Sequence, residues 1–317
     1  MKNEVTGYDT MLAAMLMSGP EQAPTSTYIP ELTPAWPVND LAGFRAELAQ
    51  WLHGSWDTSI TVREWWGRLA DAGLTMPTWP RTHGGISAPT AIQQLIEREF
   101  ASAGRIGPPL RGVGLRLVGP ALRQHATPEQ CERILRPLMR GLHSWCVLIY
   151  EFDADLSDIE MSAAADGNGF VLSGGKVWVA DAPTAHFGFV LARTDRSANV
   201  KRALTCFVVD MSQPGFSMSD EGDRPRLVKF DGITARRDDA IGGVGNGWTV
   251  AQTIVAHAQT SLAGRIRRGL IDVAPGESAG NLDRTVAGVL AAHTPRPRRT
   301  ARRDEPGSDR RHSRDLT

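Results

Sequence analysis

Four stretches carry the side chains best suited to chemistry. In Tyr150-Glu151-Phe152-Asp153-Ala154-Asp155 a phenol and three carboxylates close the apolar run Cys146 to Tyr150, and Lys176-Val177-Trp178-Val179-Ala180 sets a cation and an indole into a second apolar run. A carboxylate serves as a base where its surroundings tune its pKa; an acidic strand-end loop is the other reading of the first stretch, and a core tryptophan the other reading of the second. The third stretch, Val255-Ala256-His257-Ala258-Gln259, places a lone histidine on an apolar helix, where it reads as a packed or partner-facing residue. The fourth, Gly242-Gly243-Val244-Gly245-Asn246-Gly247, has the composition of a phosphate loop ahead of a helix but reads as a flexible connector. No GxGxxG follows a strand, and the chain has no Walker loop, HExxH or GxSxG. Cys131, Cys146 and Cys206 form no CxxC pair, so neither a disulfide framework nor a metal site is expected, and a reducing cytoplasm fits.

The elements that must position these groups follow from composition and period. The 317 residues balance 35 Lys+Arg against 35 Asp+Glu, and with 41% hydrophobic and 22% charged residues the composition is that of a globular protein. Zero net charge argues against nucleic acid as a partner. No apolar run approaches the roughly 18 residues of a membrane span. Met11 to Met17 is short and preceded by Glu4 and Asp9, which is the wrong charge for a secretion signal. Residues 1–39, with Pro20, Pro24, Pro30, Pro34 and Pro37, read as an extended or mobile arm.

Residues 40–145 read as a helical domain. Leu41, Phe44, Leu48, Trp51 and Leu52 share one helix face, and Thr61 with Glu64 signs a capping box. Ile92, Leu95, Ile96 and Phe100 form a third stripe, Val113 to Gln124 a fourth helix, and Thr127-Pro128-Glu129-Gln130 starts a fifth. Residues 146–243 switch to strand period, with Gly169–Leu172 and Val177–Ala180 flanking the turn signal Ser173-Gly174-Gly175, then Phe187–Ala192 and Leu204–Val209. From 244 to 293 the helical period returns, with Trp248, Ala251, Val255, Ala258, Leu262 and Ile266 on one face. Residues 294–317 carry eight arginines, four acids and three prolines and read as a disordered tail. Helices, then strands, then a helix make an α+β protein.

This order, with several motifs, resembles the acyl-CoA dehydrogenase family, and most nearly its actinobacterial-type members acting on lipid or sterol side-chain thioesters. The resemblance rests on Leu69-Ala70-Asp71-Ala72-Gly73-Leu74 leading to Pro77-Thr78-Trp79-Pro80 and Gly84-Gly85, on Val118-Gly119-Pro120, Trp145-Cys146 and Lys176-Val177-Trp178, and on Phe230-Asp231-Gly232 through Gly247-Trp248, in shared order over residues 40–265. It implies a helical N-terminal domain, a β-barrel-like middle domain and a C-terminal helical bundle, with FAD held between the last two in an oligomer. It also implies α,β-dehydrogenation of an acyl-CoA thioester: a glutamate takes the α-proton, the β-hydrogen leaves as hydride, and an electron-transfer flavoprotein accepts the electrons.

Carried residue by residue, the resemblance assigns Leu148, Tyr150, Trp178 and Ala180 to the flavin and Glu151 and Asp155 to the acyl-CoA site. Tyr150 stands at a hydroxyl position, Phe152 replaces a proline, and Ala180 replaces a Thr or Ser that donates to flavin N5. Asp153 and Asp155 add charge where an anionic ligand should pass, disfavouring it by about 1 kcal/mol per exposed contact. Ala258 occupies the position of the catalytic glutamate in members that carry it on this helix, and the bundle reads as incomplete. The expectation is weak or partner-dependent FAD, no catalytic base in this chain, and assembly as a homo-oligomer or as a heteromer with a complete subunit; alternatives are a non-catalytic subunit and a truncated or frameshifted product.

Overall fold

A computed structural model describes residues 33–267 except 111, 153, 155, 178–181 and 220–226, with backbone alone for 261–267. The arm before residue 33, the segment 268–293 and the tail 294–317 lie outside the described residues. The chain opens with three helices, α1 (Leu41–Ser55), α2 (Val62–Asp71) and α3 (Thr90–Ser102). Asp40 caps α1 by accepting from the backbone N–H groups of Ala42 and Gly43, and Thr61 and Glu64 close a reciprocal capping box on α2. Such caps satisfy amide groups that a helix start otherwise leaves bare, worth about 1 kcal/mol each. Phe44, Leu48, Leu52, Trp65, Leu69, Ile92, Leu95, Ile96 and Phe100 are buried together in one core.

Trp36 belongs to that core too, donating its indole N–H to Ala72 O at 2.9 Å. The arm reading therefore does not describe residues 33–39: proline ends regular structure here without freeing the chain, because a large indole gains more from burial than an extended segment loses.

A second helical layer runs from a π-helical turn at Gly114–Val118 into α4 (Gly119–His125). It continues with α5 (Pro128–Gln130), a π-helical turn at Cys131–Leu135 and α6 (Arg136–Met139). Thr127 and Gln130 form the expected capping box at its start.

The strands follow: β1 (Trp145–Leu148), β2 (Ser162–Asp166), β3 (Gly169–Val177), β4 (Phe187–Arg193), β5 (Leu204–Asp210), β6 (Phe216–Ser219), β7 (Leu227–Arg236) and β8 (Ala240–Ile241). The short α7 (Val200–Ala203) precedes β5, and α8 (Gly247–Arg267) ends the described chain. The mixed sheet has the order β6-β7-β3-β2-β4-β5-β8, with β1 parallel to β4. One sheet face packs on α4–α6 and α8; the other buries Cys146, Leu148, Met161, Val190, Phe207 and Phe230 in a separate core.

Ser173-Gly174-Gly175 is not a turn between two strands. It lies inside the single strand β3, where the pairing with β7 shifts register between Leu172 and Gly174. Gly174 has φ 144°, and a Cβ there would lie 3.0 Å from Met161 Cα. The glycine permits a bulge with close backbone approach, which reads in sequence like a turn.

Candidate functional site

The candidate residues converge on the end of β1. Two residues beyond the end of β1, Tyr150 O accepts from Val177 N at 3.0 Å, tying this end to the end of β3. Leu148 and Tyr150 look in opposite directions. Leu148 is fully buried in the core on the sheet face away from the helices, while Tyr150, 6% exposed, sits in the core between sheet and helices.

Glu151 is taken up by internal bonds. Its Oε1 accepts from Lys176 Nζ at 2.8 Å and from Met161 N at 3.0 Å, and its Oε2 accepts from Glu160 N at 2.8 Å. One carboxylate thereby closes the 151–161 loop and pins β1 to β3. Burial raises the carboxyl's proton affinity, but the Lys176 charge and the three hydrogen bonds outweigh it and hold Glu151 below the usual range. Lys176 is fully buried. Burial pulls its pKa down to about 8 even though Glu151 opposes the shift.

Lys176 is the residue that sequence reasoning missed. It was visible only as part of a motif, and a lysine in a strand reads as solvent-facing until its counter-charge is located. Cys206 lies close enough to Lys176 to feel its charge, yet burial pushes its thiol up and its Sγ faces Gly247 O at 3.5 Å, so it is no nucleophile.

Asp155, Trp178 and Ala180 lie outside the described residues, as does Asp153. Ala258 is 2% exposed and its methyl is packed in the core shared by sheet and helices, with Val250, Ala251 and Ile254 on the same helix. Those residues form the centre of the buried face of α8, while Trp248 and Val255 flank it as partly buried neighbours. His257 is half-buried; burial first, and then the charge of Arg123, lower its pKa.

The flavin-facing assignments can be tested on these positions. Leu148 and Tyr150 are enclosed by the protein's own side chains, and the Tyr150 carbonyl is engaged by Val177, so neither presents an open face to a ring system. Of the four flavin-facing assignments these two are the described ones, and their side chains do not fit an isoalloxazine edge. No group of three His, Cys, Asp or Glu residues that could hold a metal occurs among the described residues. No helix there is long and apolar enough to cross a membrane. Two cavities lie elsewhere. One of about 360 Å³ is lined by Arg133, His143, Trp145, Phe187, Arg236 and Asp239, and one of about 450 Å³ by Asp71, His83, Cys131, Glu132, Arg136 and Arg140 among others.

Comparison with known proteins gives a consistent family. Residues 43–142 match the model of the acyl-CoA dehydrogenase N-terminal domain, and residues 152–225 match that of the middle domain. The chain is 36% identical over 202 residues to the acyl-CoA dehydrogenase FadE34 of Mycobacterium tuberculosis, covering 62% of this chain and 28% of that protein. Across three curated relatives at 30–36% identity, it spans 28–62% of their length. In fold it is similar to a variant of the Tcur3481-Tcur3483 steroid ACAD, with TM-score 0.54, 23% identity, and coverage of 80% of this chain and 74% of that one. It is also similar to the ChsE4-ChsE5 complex of Mycobacterium tuberculosis, with TM-score 0.50, 19% identity, and coverage of 84% and 74%.

Proposed function

Because the chain belongs to the acyl-CoA dehydrogenase family through its N-terminal and middle domains, we propose that it works as one subunit of a heteromeric acyl-CoA dehydrogenase. The family is FAD-dependent and oxidises acyl thioesters. In this reading a partner subunit supplies the carboxylate base and the main flavin contacts, and this chain shapes the acyl-thioester site.

The observation that carries the reading is Ala258. At the position where some members place the base stands a methyl group that accepts no proton, and it is sealed in the core at 2% exposure. The enclosure of Leu148 and Tyr150 supports the same division of labour, since FAD held by this chain alone would need an open face there. The chain's own role is structural at the atoms described: Glu151 and Lys176 hold the end of β1 against β3, which fixes the wall along which a thioester would lie. A relative solved as a complex of two different chains gives the arrangement a precedent in fold.

The test is to purify the chain alone and together with a complete family member, recording flavin absorbance and acyl-CoA turnover with electron-transfer flavoprotein as acceptor. The expected result is little flavin and no turnover for the lone chain, with both appearing in the complex. One yellow flavin per lone chain, with turnover, overturns the proposal.

A further inference from the structure

At the opposite end of β1 from Glu151, a cavity of about 360 Å³ lies where the helical layer meets the strand ends. Its helical side is Arg133 and Ile134, from the π-helical turn Cys131–Leu135. Its sheet side includes Trp145 of β1, Phe187 of β4 and Val208 of β5, with His143 just before β1. The aromatic wall is built on Phe187: the Trp145 ring lies 5.2 Å from it at 33° and the His143 ring 5.0 Å from it at 85°, centroid to centroid. A mostly apolar pocket at the junction of two layers, with a few polar groups, is the usual setting for a small molecule. An apolar cavity of about 150 Å³ accepts benzene, so this one has room for about two fused rings.

The charges around this cavity are spent on one another. Arg133 and Arg236 line it together with Asp210 and Asp239, so the formal charges cancel. Asp239 is held between the two guanidinium groups, 2.7 Å from Arg133 Nη1 and 3.0 Å from Arg236 Nε. Asp210 Oδ1 accepts from both the N–H and the O–H of Ser212. Gln213 is used up as well: its Oε1 accepts from Thr234 N and Oγ1, and its Nε2 donates to the carbonyls of Asp210 and Thr234. Two groups are left over. The Trp145 indole N–H is buried without a hydrogen-bond partner, a state that costs stability and that an added acceptor relieves. His143 makes no hydrogen bond to another described residue. Burial first, then the charges of His186 and Arg63, lower its pKa against the opposing effect of Asp210, so at neutral pH the imidazole offers one donor and one acceptor.

We propose that the cavity at the start of β1 binds an uncharged aromatic alcohol of about two fused rings. The rings fill the apolar space beside Phe187, Trp145, Ile134 and Val208. The hydroxyl oxygen accepts from the Trp145 N–H, and the hydroxyl proton goes to the unprotonated nitrogen of His143. A charged ligand of either sign finds no uncancelled counter-charge here and loses its hydration for nothing. A ring system without the hydroxyl leaves both polar groups unpaired. The site is separate from the end of β1 and does not depend on how catalysis is divided between subunits.

The test is a titration of the full chain with 2-naphthol, naphthalene and 2-naphthoate at pH 7, each followed by the probe's own fluorescence, with the His143 ring resonances read by NMR to locate the binding. 2-Naphthol should bind about fivefold or more tighter than naphthalene, the gain of one neutral hydrogen bond to an otherwise unpaired group, and tighter again than the charged 2-naphthoate. It should shift the His143 resonances and leave those of His53 unmoved. Trp145→Phe keeps a ring but removes the N–H, so it should bring 2-naphthol down to the affinity of naphthalene without weakening naphthalene. His143→Phe, at a partly exposed position, removes the other partner and should narrow the same gap. If naphthalene or 2-naphthoate binds the wild-type chain as tightly as 2-naphthol, if both variants leave the gap unchanged, or if 2-naphthol leaves His143 unmoved, the site is overturned.

Discussion

Lys176→Met tests the clasp at the end of β1. Lys176 has no exposed side-chain surface, Glu151 has 12%, and they meet at 2.8 Å. Removing the ammonium strands a largely buried carboxylate with only two backbone N–H donors, a class of change that costs about 3–5 kcal/mol. That is a large share of a typical stability of about 5–15 kcal/mol. Glu151→Gln leaves the cation without its counter-charge and should cost a similar amount.

The double variant Lys176→Met/Glu151→Gln should lie close to the wild type, because no buried charge remains and the Gln carbonyl can still accept from a backbone N–H. The pKa of Lys176 indicates the same balance. It stands at about 8 in the fold against 10.5 unfolded, so the unfolded chain binds more protons between those values. Stability therefore rises with pH across that window, and Lys176→Met should remove the rise. Urea denaturation of the four proteins, read by circular dichroism at pH 7 and at pH 8 to 10, measures both effects. Single-variant losses that simply add in the double, or a pH slope that survives in Lys176→Met, would refute the argument that these two groups form one unit specifying geometry at a cost in stability.

Three further outcomes are expected. Gly247→Ala should destabilise by about 1–3 kcal/mol in denaturant titrations, since its Cβ would lie 2.6 Å from Thr205 N and Cα, backbone that cannot swing aside. Acidification should lower the melting temperature below pH 6.5: burial lowers the pKa of His83, His125, His143 and His257, so the unfolded chain takes up protons first, and His143→Gln should flatten part of that slope. Ala258→Glu should fail to restore a base and should lose several kcal/mol, because it buries an unpaired carboxylate in a core that is 2% exposed at this point; a folded, unperturbed variant with new proton-abstraction activity would show that Ala258 faces a cleft.

What was legible in the sequence was what is local. The boxes at Thr61/Glu64 and Thr127/Gln130 satisfy helix starts within three residues, so a four-residue window contains the whole cause. The stripe of Ile92, Leu95, Ile96 and Phe100 is likewise a property of one helix, and all four are buried. Ser173-Gly174-Gly175 reads as a turn because the cause of its glycines, the close approach of Met161, lies in the residue just before another strand. Leu148 ends β1 and Tyr150 lies two residues beyond it, where alternation would give both the same side; instead the alternation breaks after Ile149, and the two side chains enter different cores. The Glu151–Lys176 pair spans twenty-five positions, and no spacing rule connects an acid after one strand with a lysine near the end of another.

The clasp also accounts for the loop it closes. The family's glycine-rich turn after this strand is replaced here by Phe152-Asp153-Ala154-Asp155, which has none of the glycine that would let a backbone fold around a ligand. Glu151 instead binds the loop to its own far end through Glu160 N and Met161 N, and Arg193 adds three bonds, donating from its backbone N–H to Met161 O at 2.7 Å, from Nε to Ile159 O at 2.8 Å and from Nη2 to Ser157 O at 3.4 Å. A loop fixed at both ends by the protein's own groups has little backbone left to offer a cofactor, yet it displays Phe152 at 65% exposure at its start. Burying such a ring against another chain is worth about 2 kcal/mol, whereas leaving it in water gains nothing. A strand end that is closed inward and apolar outward suits contact with a second subunit, in keeping with the proposed division of labour.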